Sequence, residues 1–476
     1  MSEKTRLVKN TGLIAMGNMG AKAVAFLLLP LYTSILSTEE YGTYDYIVAI
    51  SAFLLPIITF SMHEAMFRFI IDSGKEGEEF KKIISNSFFI VLLGIISFAV
   101  ISLVILFFFP ALINLKYVCI YVTCSSLFCF SNNLLRGLGR IKEFAIVSSG
   151  KNILQIILNV LVIVVFRWGM KGLLFSLCIS EFLAFMIVAL VSKIHKYIRF
   201  KYVKYKEIKP MLKYSVPLIP NALSAQVINL SDRIVISVFL GASLNGIYSV
   251  AYKFPNILEM FYHFFYNAWS ESASRVFSTG KEKAQQFYQS LYDVINNLLF
   301  SIILLMIAGM PIMFRIFVKG KYVEGFIYVP ILLIAIYFDC IAKFFSGIFT
   351  ALKKTKAMAT STTIAAILNL LINILLIKKI GLYAAALSTL LADIVLVLLR
   401  MKLITKDIVI KVNLKQSMVK IILLVLVLFL YNYNDWIKIS ISIVMAFLSA
   451  CIMNKVLIKT VFTKVKKKFQ NKLLNN

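Results

Sequence analysis

The chain has little with which to do soluble chemistry. It holds three histidines, and 22 acidic residues against 51 basic ones. His63-Glu64 is followed by no second histidine at zinc-ligand spacing. No glycine-rich loop ends in Lys-Ser/Thr, and no nucleophile elbow occurs. Zinc-helix hydrolases, P-loop ATPases and elbow-type acyl transferases are therefore excluded as readings. The six cysteines, Cys119, Cys124, Cys129, Cys178, Cys340 and Cys451, all lie in apolar segments. The first three recur every five residues, which on a helix turns each by about 140° from the last. They read as small buried hydrophobes and not as a disulfide or metal framework. Residues 1–10 lack a signal-peptide cleavage pattern, so the first apolar run is expected to stay as a span.

Charge is scarce as well, at 15% of residues, while 60% are hydrophobic and the mean hydropathy is +0.86. Runs such as 83–109 and 421–430 are continuous where a β-barrel would alternate. The expected fold class is an all-α integral membrane protein. Fourteen spans fit the sequence, at roughly 11–36, 42–62, 83–109, 114–135, 144–166, 172–192, 214–240, 246–268, 288–314, 325–350, 358–377, 381–399, 416–432 and 436–454. In a soluble protein a net charge of +29 would suggest nucleic acid. Here 36 of the basic residues fall in the tails and loops of one side, 9 on the other with Lys116 and Lys438 at the span mouths included, and 6 deeper inside spans. That asymmetry predicts a multi-pass protein with both termini in the cytoplasm, and no nucleic-acid partner.

Internal repetition divides the chain. Leu36, Gly42 and Tyr44 recur as Leu240, Gly246 and Tyr248, at an offset of 204. Gln155 and Asn159 in span 5 recur as Asn369 and Asn373 in span 11. Six spans per half is an even number, which predicts two lobes in parallel repeat. The expected layout is a lobe at 1–192, a basic amphipathic linker at 193–213, a second lobe at 214–404, and two appended helices with a basic tail at 405–476. The linker interleaves eight basic residues with Tyr197, Phe200, Tyr202 and Tyr205, a mixture that suits an interfacial segment on anionic lipid.

The spans are not uniformly apolar. The stretch 217–269 carries Asp232-Arg233, Lys253 and Glu259, and a charge at bilayer depth costs ~2.5–3.5 kcal/mol on insertion scales. Such charges persist when paired or when they face a watery cavity. Span 1 places Asn18 and Lys22 on one side, with Lys22 roughly 18 Å from the cytoplasmic start. Span 7 aligns Gln226, Asn229 and Arg233, and span 8 aligns Ser249, Lys253, Asn256, His263 and Asn267. Asn and Gln at these depths either line a cavity or hydrogen-bond helices together. Glu64/Arg68, Glu271/Arg275 and Asp339/Lys343 sit at i,i+4 and are expected to bridge. Asp232 is Arg233's neighbour in sequence but about 100° round the helix. Asp45, Glu181, Asp232, Asp339 and Asp393 are acids at membrane depth that could carry protons or sodium.

PLIP, the intramembrane Asp-Arg and GIYSVAYK in 217–253, together with LPLYTSILSTEEYGTYD, resemble the polysaccharide flippases of bacterial surface-glycan assembly. These belong to the multidrug/oligosaccharidyl-lipid/polysaccharide exporter superfamily. The resemblance covers spans 1–12 in layout and about the first two spans of each half in motif. It implies a V of two six-helix lobes in the cytoplasmic membrane and an undecaprenyl-diphosphate-linked saccharide as substrate. It further implies anion-binding roles for Lys22, Arg68, Arg233 and Lys253, with other surface-polysaccharide assembly proteins as partners. Span 1 lacks the acid typical of the superfamily's proton-coupled drug exporters. Lys22 stands alone where peptidoglycan-precursor flippases carry several arginines. A multidrug antiporter and a peptidoglycan-precursor flippase are the alternatives. No cofactor is expected beyond a coupling H+ or Na+.

Overall fold

In the computed structural model, residues 24, 26–73, 77–112, 114–278, 280–455, 457–459 and 463 are described, except for the side chains at 221, 224, 225, 228 and 229. Among them are helices and no strands. A short α1 (Leu29–Ile35) ends in extended Leu36, and Ser37 then starts α2 (Thr38–Ile58) with a capping box. The Ser37 hydroxyl accepts from the Glu40 amide at 3.1 Å, and the Glu40 carboxylate accepts from the Ser37 amide at 3.0 Å. Thr59, Phe60 and Ser61 break the helix just after Pro56, with Phe60 and Ser61 at φ of 50° and 48°. The expected span 42–62 corresponds to α2, and a separate helix, α3 (Met62–Ser73), follows the break.

Four further helices follow: α4 (Glu78–Phe108), α5 (Leu115–Gly137), α6 (Ile141–Val160, running on through Leu161–Val165) and α7 (Gly169–Val191). A linker of two short turns leads to α8 (Tyr205–Ser215) and then α9 (Ile219–Phe239). α10 (Ala242–Phe277) begins directly after Gly241, whose φ of +94° closes the corner and whose amide bonds Ile236 O at 3.1 Å. The turn is shorter than the expected 241–245. The remaining helices are α11 (Lys281–Phe317), α12 (Val329–Ala351), α13 (Thr355–Ile380), α14 (Leu382–Ile404), α15 (Leu414–Phe429) and α16 (Trp436–Met453).

Ten helical segments among the described residues are long and apolar enough to cross a membrane. Of the fourteen expected spans, those absent from this set are the first, lying mostly outside the described residues, and 7, 8 and 13. α9 and α10 are helical as expected but carry the polar stripes, and α15 is only 16 residues long. At 1.5 Å per residue α10 and α11 reach about 54 Å and 56 Å, well beyond a ~30 Å hydrocarbon core.

Contacts divide the chain into two compact units, Met1–Ser249 and Val250–Asn476. In the first, α3, α4 and α5 enclose Met62, Met66, Ile70, Phe80, Ile84 and Phe130, and α2, α5 and α7 share Ile47, Val122 and Leu174. In the second, α12 packs between α11 and α14, with Phe344 and Phe345 fully buried. Trp269, from the far half of α10, stacks on Phe344 at 4.6 Å and donates to its carbonyl at 2.8 Å. α15 and α16 are held to α11 by polar clips. Gln416 donates to Asn297 Oδ1 at 2.9 Å, Lys420 to Asn296 O at 3.2 Å, and Asn454 to Ser301 at 2.8 Å. Asp435 caps α16 by accepting from the amides of Lys438 and Ile437, and these bonds hold its carboxyl below the usual range.

Candidate functional site

Where α2 crosses the first turns of α10, the two backbones touch. A Cβ on Gly42 would lie 1.7 Å from Ala242 O, and one on Gly246 would lie 2.0 Å from Thr38 O. Only glycine permits that approach. Beside it Thr38 and Ser243 share a 2.7 Å hydrogen bond, and fully buried Asn245 donates to Gly42 O at 2.8 Å. Gly42 and Gly246 stand at the repeat offset of 204, and so do Asp45 and Ser249, which are also bonded. The seam is self-paired in the manner of a two-fold interface.

One turn further in, the buried Asp45 carboxylate accepts from Arg233 Nη1 at 2.9 Å and from Ser249 Oγ at 2.6 Å. The side chains of Arg233 and Asp45 are only 12% and 5% exposed. The sequence left Arg233's partner open, with Asp232 adjacent to it in the chain but about 100° round the helix. Asp232 is buried and accepts instead from the Tyr248 hydroxyl at 2.9 Å. The physical reason is the 100° step between consecutive residues, which sends Asp232 and Arg233 to different neighbours.

A second buried pair in this unit joins Lys151 on α6 to Glu181 on α7 at 3.3 Å, with Lys151 also over the Phe128 ring at 5.2 Å. Arg68 lies on α3 at a half-exposed position and bonds Asp72 at 2.8 Å, so the expected Glu64/Arg68 bridge is replaced by the next acid along the helix. Gln226 is half-buried on α9. Asn18 and Lys22 lie outside the described residues, as does the side chain of Asn229. Asn159 donates to the Tyr32 hydroxyl at 3.1 Å, which makes it a link between helices.

In the second unit Lys253 and Asn256 are half-buried on α10. Lys343 of α12 bonds Asp339 at 2.5 Å and Glu259 at 2.7 Å, so the expected i,i+4 pair is a triad with two acids on one ammonium. Arg400 of α14 is buried and donates to Ala342 O, Ser346, Thr362 and Ser361 at 2.6–3.4 Å. Asp393 is buried two turns before it on the same helix. Asn369 donates to Thr389 at 3.1 Å, again joining helices. Glu271 and Arg275 pair as expected, on an exposed stretch of α10. Lys151, Arg400, Lys420 and the Glu259–Lys343 bond escaped the sequence reading. Their partners lie 30 to 124 residues away, and no helical spacing signals them.

Charged and amide side chains thus recur, many of them bonded between helices, inside a polytopic helical membrane protein. The profile of the family described as polysaccharide biosynthesis protein matches residues 7–269, and the chain belongs to that family. A lipid II flippase MurJ structure in an inward closed conformation superposes with a TM-score of 0.72 at 19% identity, covering 94% of this chain and 99% of that one. An inward-facing multidrug resistance MATE family transporter of the MOP superfamily gives 0.66 at 12% identity, covering 82% and 95%. Both show the fold. An uncharacterized membrane protein of Methanocaldococcus jannaschii is 23% identical over 410 residues, covering 82% of this chain and 95% of that protein.

Proposed function

We propose that this chain is a flippase that moves undecaprenyl-diphosphate-linked oligosaccharide repeat units across the cytoplasmic membrane for surface polysaccharide biosynthesis. It acts as a transporter and not as an enzyme. The observation that carries the reading is the set of cations on polar helix stripes in a member of this family. A diphosphate is bound by charge and by charge-assisted hydrogen bonds. Lys22 and Lys253 hold it, with Asn18, Gln226, Asn229 and Asn256 toward the sugars, and Arg68 receives it first after leaving Asp72. Arg233 joins once it has left Asp45, so the pair serves as a latch that substrate opens. The two repeats alternate access by rocking. The coupling ion, H+ or Na+, is held among Asp45, Asp232, Glu181, Asp339 and Asp393. The MATE likeness sustains a second reading, a multidrug antiporter whose substrates are cations.

Proteoliposomes carrying a fluorescent undecaprenyl-diphosphate saccharide test both. Transport is expected in wild type under a proton or sodium gradient, none in Lys253→Ala, and partial rescue in Lys253→Arg. Equal transport by wild type and Lys253→Ala would overturn the site. Movement of a cationic dye in place of the saccharide would establish the antiporter.

A further inference from the structure

The segment 193–213, which leaves α7 through two short turns and continues into α8, is built with two sides. Its apolar residues Ile194, Ile208 and Met211 are buried against Phe80, Ile83 and Met66. Two fully buried polar side chains of α4 fix its backbone. Ser85 donates to Tyr197 O and accepts from the Arg199 amide, both at 3.0 Å. Asn86 donates to Tyr202 O at 3.0 Å and accepts from the Lys204 amide at 3.1 Å. The only acid of the segment, Glu207, is turned toward Lys82 at 3.8 Å. All eight basic residues, Lys193, Lys196, Arg199, Lys201, Lys204, Lys206, Lys209 and Lys213, are exposed. Among the described residues none of them forms an ion pair. Phe200 and Tyr205 stand out among them, 75% and 73% exposed.

A solvated loop explains exposed lysines but not a loop clamped by buried side chains so that two aromatic rings project with them. We propose that this face is a docking surface for the anionic headgroups of the surrounding leaflet. Phe200 and Tyr205 enter the interfacial zone, and Arg199, Lys201, Lys204 and Lys206 meet lipid phosphates. Amphipathic aromatics and guanidinium or ammonium groups at one level are what a negatively charged bilayer surface selects. Each basic residue near such a surface is worth a factor of about five in affinity.

The test is native mass spectrometry of the purified full chain in neutral detergent, titrated with phosphatidylglycerol or phosphatidylcholine. Wild type is expected to retain phosphatidylglycerol in preference to phosphatidylcholine by about tenfold or more. The variant Arg199→Gln/Lys201→Gln/Lys204→Gln/Lys206→Gln should lose that preference, and Phe200→Ser should weaken retention of both lipids. An unchanged thermal midpoint in the variants would show that the clamp remains intact. Equal retention by wild type and the quadruple variant would overturn the proposal. So would displacement of the lipid by millimolar inorganic phosphate, which would assign the patch to a free anion. Tighter binding of a short single-stranded RNA than of phosphatidylglycerol would assign it to nucleic acid.

Discussion

Asp45 and Arg233 form an ion pair deep in the first unit. Both are nearly inaccessible, so removing one partner strands an unpaired charge, a loss of about 3–5 kcal/mol, while apolar replacement of both is close to neutral. Arg233→Met and Asp45→Leu are each expected to lower the detergent-solubilised thermal midpoint strongly, and the double variant to recover most of the loss. A double variant no better than the singles would mean the pair is not coupled. The exposed Arg68–Asp72 pair offers the contrast, since an accessible i,i+4 bridge is worth about 0.3–0.5 kcal/mol. At this scale the sequence announced that charges sit in spans 2 and 7, because each interrupts an apolar run. It could not announce their pairing. Asp45 and Arg233 are 188 residues apart, and Lys343 and Glu259 are 84 apart.

Among elements, the α2/α10 crossing is where local sequence and tertiary packing agree. The repeat offset that marks Gly42 and Gly246 in the sequence is the same offset at which the two residues meet. The legible part was therefore the symmetry, and the illegible part was that the symmetric residues touch each other. Gly42→Ala and Gly246→Ala force backbone against backbone and should reduce folded yield and thermal midpoint together. Gly150, in the interior of α6, has nothing within 4 Å of its Cβ position. Gly150→Ala should be neutral or stabilising by about 0.5–1 kcal/mol, since it only removes backbone freedom. A thermal melt in which all three variants behave alike would remove the crossing from the account. The same contrast explains why α9 and α10, spans 7 and 8 in the sequence, are less apolar than α4: close helix contact favours small and polar residues, and these dilute the apolar signal.

For the whole molecule, composition was decisive and geometry was not needed. A chain that is 60% hydrophobic, with apolar runs that are continuous and not alternating, satisfies its backbone in lipid as helices. What composition leaves open is which face each loop occupies. The basic excess predicts that the tails, the 193–213 linker and the 400–415 connection share the cytoplasmic side, with Lys319 and Lys379 on the other. In a background with all six cysteines replaced, Lys201→Cys and Lys406→Cys should react with a membrane-impermeant maleimide only after the cells are opened. Lys319→Cys and Lys379→Cys should react in intact cells. Labelling of Lys201→Cys from outside would invert the protein. It would then turn the exposed cationic face of the linker away from the inner leaflet, whose anionic lipids give that face its proposed partner.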